Sequence, residues 1–270
     1  MTASIPPASP PEGVWLPQLP PTDLVFDDGV PLESNRHRIA MNLLIDSVYA
    51  ALAPREDFYA SGNMFVYFSL AQIKNKDFRG PDFFVALDVD GTQERQGWVV
   101  WEEGGKYPDV IVELMSASTR NTDLTTKKDI YAQIFNTKHY FVYDPFKPES
   151  LQGWELQGRH FVPLQPNAQG WLWCDSLQLW LGTWQGRRLQ EQAPWLRFYD
   201  ANENLVLLPQ EREQQLKELA LVDLAQERQK KEQALNEKEQ ALADLAQERQ
   251  RQAALQAKLR ELGIDPDTVG

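Results

Sequence analysis

The sequence predicts an α/β protein: a mixed central sheet flanked by helices, with added β-hairpins and a long C-terminal helix. Three stretches carry that reading. Residues 108–145 (PDVIVELMSASTRNTDLTTKKDIYAQIFNTKHYFVYDP) read as a buried strand, a polar turn, a helix and a second buried strand. Residues 150–208 alternate short β-forming runs with Gly, Pro and Asn punctuation, the pattern of hairpins. Residues 210–262 contain no Gly or Pro and consist mostly of Ala, Leu, Gln, Glu, Lys and Arg, a helical composition.

Taken in order, residues 1–22 carry seven prolines. Proline fixes φ and removes a donor, so an extended arm is expected there, ahead of a body over 23–208. From Asn35 to Leu52, apolar Ile39, Leu43, Leu44, Val48 and Leu52 recur at helical spacing, with Ser34 or Asn35 as the cap. Arg36, His37 and Arg38 fall in the first turns of that helix. Residues 58–70 read as one bent strand or a hairpin. Lys74, Lys76 and Arg79 follow in a polar loop, and Gly80-Pro81 leads into Asp82 and the strand FFVALDV. Residues 89–107 are an excursion of turn signals around the short strand WVVW. Then come strand 109–116, helix 123–136 and strand 139–144. LQGWEL, RHFVPL and WLWCDSLQLWLG supply further strands, and 195–208 reads as a hairpin around Asn202-Glu203-Asn204. A long helix over 209–263 ends at Gly263, leaving a flexible tail at 264–270.

The 270 residues are 42% hydrophobic, which suffices for one domain and an accessory segment. Net charge is -12. Residues 1–209 hold 26 acids and 17 bases, whereas residues 210–262 hold 11 and 10, so the body carries most of the negative charge. The overall basic surface of a non-specific nucleic-acid binder is absent. Cys174 is the one cysteine, which excludes an intrachain disulfide and fits a reducing compartment. No run approaches roughly 18 apolar residues, so no membrane span is expected. The N-terminus lacks the basic and apolar regions of a signal peptide, and a cytoplasmic protein is the expectation. The three histidines lack zinc spacing, and there is no P-loop, G-x-G-x-x-G or G-x-S-x-G motif.

The long helix contains a repeat: LVDLAQERQ at 221–229 returns as LADLAQERQ at 242–250, an offset of three heptads. One seam sets Leu221, Leu235 and Leu242 at a, and Leu224, Leu245 and Leu259 at d. The same seam holds Arg228, Lys231, Lys238, Arg249, Gln252 and Gln256. Only half of the seam positions are apolar; a coiled coil over 210–262, with a second copy or another helical partner, is the expected use, and a solvated or back-folded helix is the alternative.

Chemistry concentrates around 82–131. Glu113 is the one charge inside an apolar strand, and an unpaired carboxylate buried there is costly. Asp82 stands at the mouth of the preceding core strand. If the two strands pair, these carboxylates can converge on one ion, with the backbone carbonyl of Leu114 as a third oxygen. Mg²⁺ accepts such a hard oxygen set, and Mn²⁺ can substitute. The ion would activate water and stabilise charge on a phosphoryl oxygen. Lys127, from the following helix, would orient the water or neutralise the oxyanion. Plainer roles stand beside these: Asp82 as a turn cap, Glu113 and Lys127 as a salt bridge without an ion, Asp123 as the helix N-cap, and Tyr131 and Tyr140 as core aromatics.

Asp82 within Gly-Pro-Asp, Glu113 within VELMS, and S-A-S-T-R-x-x-D-x-x-x-K-x-x-x-Y across 116–131 resemble the PD-(D/E)xK nuclease superfamily. The similarity is greatest to its restriction-endonuclease branch expanded in cyanobacteria. DDGVPLESNRHR at 27–38, FVYDP at 141–145 and the heptad tail ending LRELGIDPD extend the resemblance, which covers residues 24–208 with the tail as a common appendage. It implies a restriction-endonuclease-like core and Mg²⁺-dependent cleavage of DNA phosphodiesters. It assigns catalysis to Asp82, Glu113 and Lys127, with Asp82, Glu113 and the Leu114 carbonyl on the metal. His37, Lys128 and Asp123 are supporting candidates. Met115 stands where the superfamily lysine usually lies, two residues after the strand acid, so that role is carried to Lys127, with Lys128 second. Ala117 replaces a usual proline. The alternative is a non-catalytic nuclease-fold protein that uses its C-terminal helix for assembly.

Overall fold

A computed structural model describes residues 24, 34–69 and 80–263. The proline-rich arm at 1–22, most of the 27–38 motif, the loop of Lys74, Lys76 and Arg79, and the tail at 264–270 lie outside the described residues. The described chain divides into two units at the Leu208–Pro209 boundary.

The first unit opens with helix α1 (Asn35–Leu52), whose apolar residues at three- and four-residue spacing are buried along one face. Ser34 is its N-cap and accepts from the His37 amide. Among the described residues, eleven strands follow: β1 (Phe58–Ser61), β2 (Val66–Tyr67), β3 (Phe83–Leu87), β4 (Trp98–Val99), β5 (Val110–Leu114), β6 (His139–Asp144), β7 (Lys147–Gln157), β8 (His160–Pro163), β9 (Leu172–Cys174), β10 (Leu179–Arg188) and β11 (Glu191–Tyr199). A helical segment over 120–135, α2, joins β5 to β6.

The main sheet has strand order β1-β3-β5-β6-β7-β8. It is mixed: β5 and β6 run parallel, joined by α2 as the crossover, and the other pairs are antiparallel. Strand periodicity splits its central strands between two apolar layers. Phe83, Val85, Val110, Val112, Leu114, Phe141 and Tyr143 pack with α1 and with a second sheet, β11-β10-β9. Phe84, Ala86, Ile111, Met115, Tyr140 and Val142 pack with Trp98 and with Tyr131 and Phe135 of α2. Glu113 alternates with Ile111 and Met115, so its side chain belongs to the α2 side.

Several elements differ from the sequence expectation. Residues 58–67 are neither one strand nor a hairpin, because β1 joins the main sheet while β2 pairs in parallel with β4. Gly62 and Asn63, the latter at φ 49°, turn the chain between them. The hairpin expected over 195–208 is reduced to a single bridge, Tyr199 to Leu205. The extended hairpin is instead β10 with β11, turned by Leu189 and Gln190 at φ 43° and 71°. α2 begins at Arg120, three residues before the expected start. Ser116 Oγ accepts from the Ser118 and Thr119 amides there, and Thr119 Oγ1 accepts from the Ser116 amide.

The second unit is α3 (Pro209–Glu261), a 53-residue helix with no buried residue. Gly263 ends it at φ 73°. Among the described residues, no helix is long and apolar enough to cross a membrane.

Candidate active site

The site forms where β3 and β5 meet the first half of α2. Phe83 pairs with Val112 across the antiparallel ladder. That register sets Asp82, one residue before β3, beside Glu113 and Leu114. The two segments clasp each other: the Leu114 amide donates to Asp82 Oδ2 at 2.7 Å, and the Asp82 amide reaches Glu113 Oε2 at 3.4 Å. Leu114 therefore enters the site through its main chain.

α2 closes the site from above. Asp123, Lys127 and Tyr131 recur every fourth residue and share one helical face. Asp123–Lys127 and Tyr131–Phe135 are π-helical turns, a widened winding often found at functional sites. Lys127 Nζ lies 3.0 Å from Glu113 Oε2 and 2.8 Å from Asp123 Oδ1. The Tyr131 hydroxyl donates to Glu113 Oε1 at 2.7 Å. The Tyr140 hydroxyl, from β6, donates to the Asp123 carbonyl oxygen at 2.8 Å and fixes that turn to the sheet. Glu113 and Tyr131 are fully buried, and Asp123 is 1% exposed. Asp123 is thus inside the helix with its carboxylate turned inward, not its N-cap, because the helical segment already begins at Arg120 with Thr119 at the N-cap position.

Electrostatics follow from that burial. Asp82 titrates well above its ordinary range, because burial and then the neighbouring Glu113 oppose its charge. Asp123 is raised by burial and then by Glu113, with Lys127 acting against both. For Lys127, burial disfavours the ammonium, but Glu113, Asp123 and Asp82 together outweigh it and raise its pKa. Tyr131 is held neutral by burial and by Glu113. The cluster therefore joins three carboxyl groups to one ammonium.

That imbalance is what a cation would relieve. The donors are all oxygen, the set Mg²⁺ and Mn²⁺ prefer. Asp123 Oδ2 is buried with no hydrogen-bond partner, and a buried carboxylate oxygen normally has one. Among the described residues, no group of three or more His, Cys, Asp or Glu side chains is placed to hold a metal ion. A Mg²⁺ site needs only one or two carboxylates, since the ion keeps several waters. The residues fit a divalent ion on these grounds.

The structure brings Asp82, Glu113, Asp123, Lys127 and the Leu114 main chain together. Lys128 turns away, its Nζ 3.7 Å above the Trp154 ring. His37 also stands apart: its Nε2 is 3.3 Å from the Met115 carbonyl oxygen and its Nδ1 is 2.8 Å from Ser34 Oγ. Met115 is buried in the apolar layer under α2. Asp109 is structural, accepting from the Leu87 amide and pairing with Lys106 and Lys138. Tyr131 is the site contact that sequence reasoning assigned to the core alone. Its spacing of four from Lys127 was the available signal.

Comparison with known proteins gives the family. A crystal structure described as "a putative nuclease belonging to DUF820 from Anabaena variabilis ATCC 29413" aligns with a TM-score of 0.40 and 15% identity, over 59% of this chain and 86% of that one. No curated protein matches the chain. The model of the Uma2 family, described as "Putative restriction endonuclease", matches residues 17–190. With most of the body covered by that match, and with a mixed α/β core of the restriction-endonuclease-like class, the chain belongs to the Uma2 family.

Proposed function

We propose that the chain is an endonuclease that hydrolyses DNA phosphodiester bonds with Mg²⁺, for which Mn²⁺ can substitute. One observation carries this reading: Glu113 and Asp123 pair with the single ammonium of Lys127, Asp82 is held beside Glu113 by the Leu114 amide, and Asp123 Oδ2 is left without a partner. Asp82, Glu113 and the Leu114 carbonyl would hold the ion, with Asp123 in support. When bound, such an ion supplies Lewis acidity toward a phosphoryl oxygen and lowers the pKa of water. The remaining work falls to the chain itself. Tyr131 ties down Glu113 Oε1 and so fixes the direction of Oε2. The carboxylates keep Lys127 charged at neutral pH, which suits it to hold a phosphoryl oxygen or orient a water, and unsuits it as a base. Because both acids sit at the ends of paired strands, little reorganisation accompanies reaction. In this reading 23–208 is the nuclease domain, the long helix serves assembly, and the protein works in the cytoplasm.

The test is to incubate the purified full chain with supercoiled plasmid and with single-stranded DNA, in Mg²⁺, Mn²⁺ or EDTA. Nicking should require the ion and disappear in Glu113→Ala. Cutting by Glu113→Ala at the parental rate would sink the site assignment. Absence of cutting by the parent with either ion would sink the activity.

A further inference from the structure

We infer that α3 pairs with the same helix of a second copy, parallel and in register, and that charge matching along its seam selects this arrangement. The inference does not depend on the nuclease reading. It begins with an uncovered apolar stripe. Leu221, Leu224, Leu235, Leu242 and Leu245 are 65%, 45%, 55%, 57% and 48% exposed. They occupy a and d positions of one heptad frame, and basic residues interrupt them in the same frame.

The flanking positions decide what covers the stripe. In a parallel, in-register pair, an a residue packs beside the partner's preceding g residue, and a d residue beside the partner's following e residue. Each basic seam residue of α3 has a glutamate at that flank: Lys217-Glu218, Glu227-Arg228, Lys231-Glu232, Lys238-Glu239 and Glu248-Arg249. The five leucines above have alanine at the same flank: 220, 225, 234, 241 and 246. Charge thus appears at the flank where the seam is basic, and a small apolar residue where the seam is leucine. A single exposed helix accounts only for Glu227, which pairs with Lys231 one turn on; it gives no reason for the other four. An apposed copy does, because its glutamates neutralise the basic layers that would otherwise repel, and its alanines let the leucine layers close.

Other pairings lose the match. In an antiparallel pair the flank facing each seam residue is set by the centre of overlap rather than by its own neighbour in sequence. A parallel pair slipped by the 21-residue repeat keeps it only between 221–229 and 242–250 and their surroundings. Parallel pairing brings the two Pro209 ends together, which tethers two copies of the first unit at one end and raises the local concentration of each for the other.

The experiment uses the full chain. Light scattering at tens of micromolar should give about twice the single-chain mass of 31.0 kDa. In a Cys174→Ser background, Gln252→Cys, at a d position, should oxidise to a disulfide-linked dimer, while Gln226→Cys, on the outer face, should not. The combined Glu227→Lys and Glu248→Lys variant should self-associate on the order of 100-fold more weakly, about tenfold for each mismatched layer. The combined Arg228→Glu and Arg249→Glu variant should do likewise, and mixing the two should restore pairing. A mass of one chain, or of three or more, overturns the inference. So does a dimer that fails to crosslink at residue 252, or a mixture that pairs no better than its components.

Discussion

The Tyr131 hydroxyl donates to Glu113 Oε1 across 2.7 Å, and neither residue is exposed to solvent. A carboxylate buried in a strand needs its oxygens satisfied, and this hydroxyl and the Lys127 ammonium divide that work. Tyr131→Phe removes only the hydroxyl and keeps the ring against Phe135 and Tyr140. The expected loss is about 2 kcal/mol, the usual cost of leaving a buried charged acceptor short of one donor. Urea unfolding should show a lower midpoint at unchanged slope. Metal-dependent nicking should fall roughly tenfold or more, as is common when the partner of a ligand is lost. Parental stability in the variant would mean the hydroxyl does not hold Glu113.

Asp82 sets the pH dependence of the metal-free fold. The unfolded carboxyl titrates near 3.8, and burial with Glu113 moves the folded one well above that. Between those values the folded state keeps a proton that the unfolded state has released. The contribution to stability is complete below 3.8 and is lost as pH rises through the folded value. Lys127 acts throughout the neutral range, since its pKa is raised from an already basic 10.5. In EDTA, the parent should therefore lose urea resistance as pH rises from 3.8 through the folded value. Asp82→Asn keeps an acceptor for the Leu114 amide but has no charge to bury, so its curve should be flatter and it should exceed the parent at alkaline pH. Mg²⁺ or Mn²⁺ should raise the parental melting temperature and leave that of Asp82→Asn unmoved. A variant less stable than the metal-free parent at alkaline pH would contradict the charge balance described for the cluster.

The parts of this site that were legible in sequence are those set by short periods. Ile111, Glu113 and Met115 alternate, so one strand period places Glu113 on a buried face, and the apolar runs of β5 and β6 around a helix announce a parallel crossover. The parts that were not legible depend on distant contacts. Gly62 separates β1 from β2 because Asp82 packs behind it, and nothing within 58–70 encodes that. The turn at Leu189 and Gln190 lacks the Gly or Asn that usually marks positive φ, whereas Asn202-Glu203-Asn204 has the marks of a turn but closes only one bridge. The π-helical winding of α2 leaves no composition signal. It bears on how Asp123, expected at the cap, comes to face Lys127 inside the site.

The two adjacent lysines of α2 should behave very differently. Lys127 pairs with Glu113 and Asp123 and is drawn to Asp82 as well, whereas Lys128 lies over the Trp154 ring. Lys127→Met leaves those carboxyl groups without a cation and should cost about 3 kcal/mol, as when one partner of a buried ion pair is removed. Added Mg²⁺ or Mn²⁺ should recover part of that stability, but nicking should not return. Lys128→Met should cost about 0.5–1 kcal/mol, the worth of a partly exposed cation–π contact, with nicking at the parental level. Equal loss of nicking in the two variants would remove the special standing of Lys127.

Gly62 offers a test of positioning from behind the site. The neighbouring Asn63 amide donates to the Pro81 carbonyl oxygen at 3.0 Å, which draws this end of β1 against the approach to β3. An alanine Cβ at residue 62 would run into the Asp82 carbonyl oxygen and the Met41 side chain. Met41 is flexible and can yield. The Asp82 carbonyl is backbone, held in a segment pinned by Asn63 on one side and Leu114 on the other, so it can yield only if Asp82 moves. Gly62→Ala should cost about 1–3 kcal/mol, the range for overpacking, and should reduce nicking and calorimetric Mn²⁺ affinity further than its loss of folded protein explains. Gly80→Ala, just ahead of β3, is the control, because its Cβ would meet the Phe65 ring at 3.3 Å and the Met64 carbonyl oxygen at 3.6 Å, with no contact to Asp82 among its nearest atoms. If both variants bind Mn²⁺ equally well once corrected for folded fraction, the packing of β1 does not position Asp82.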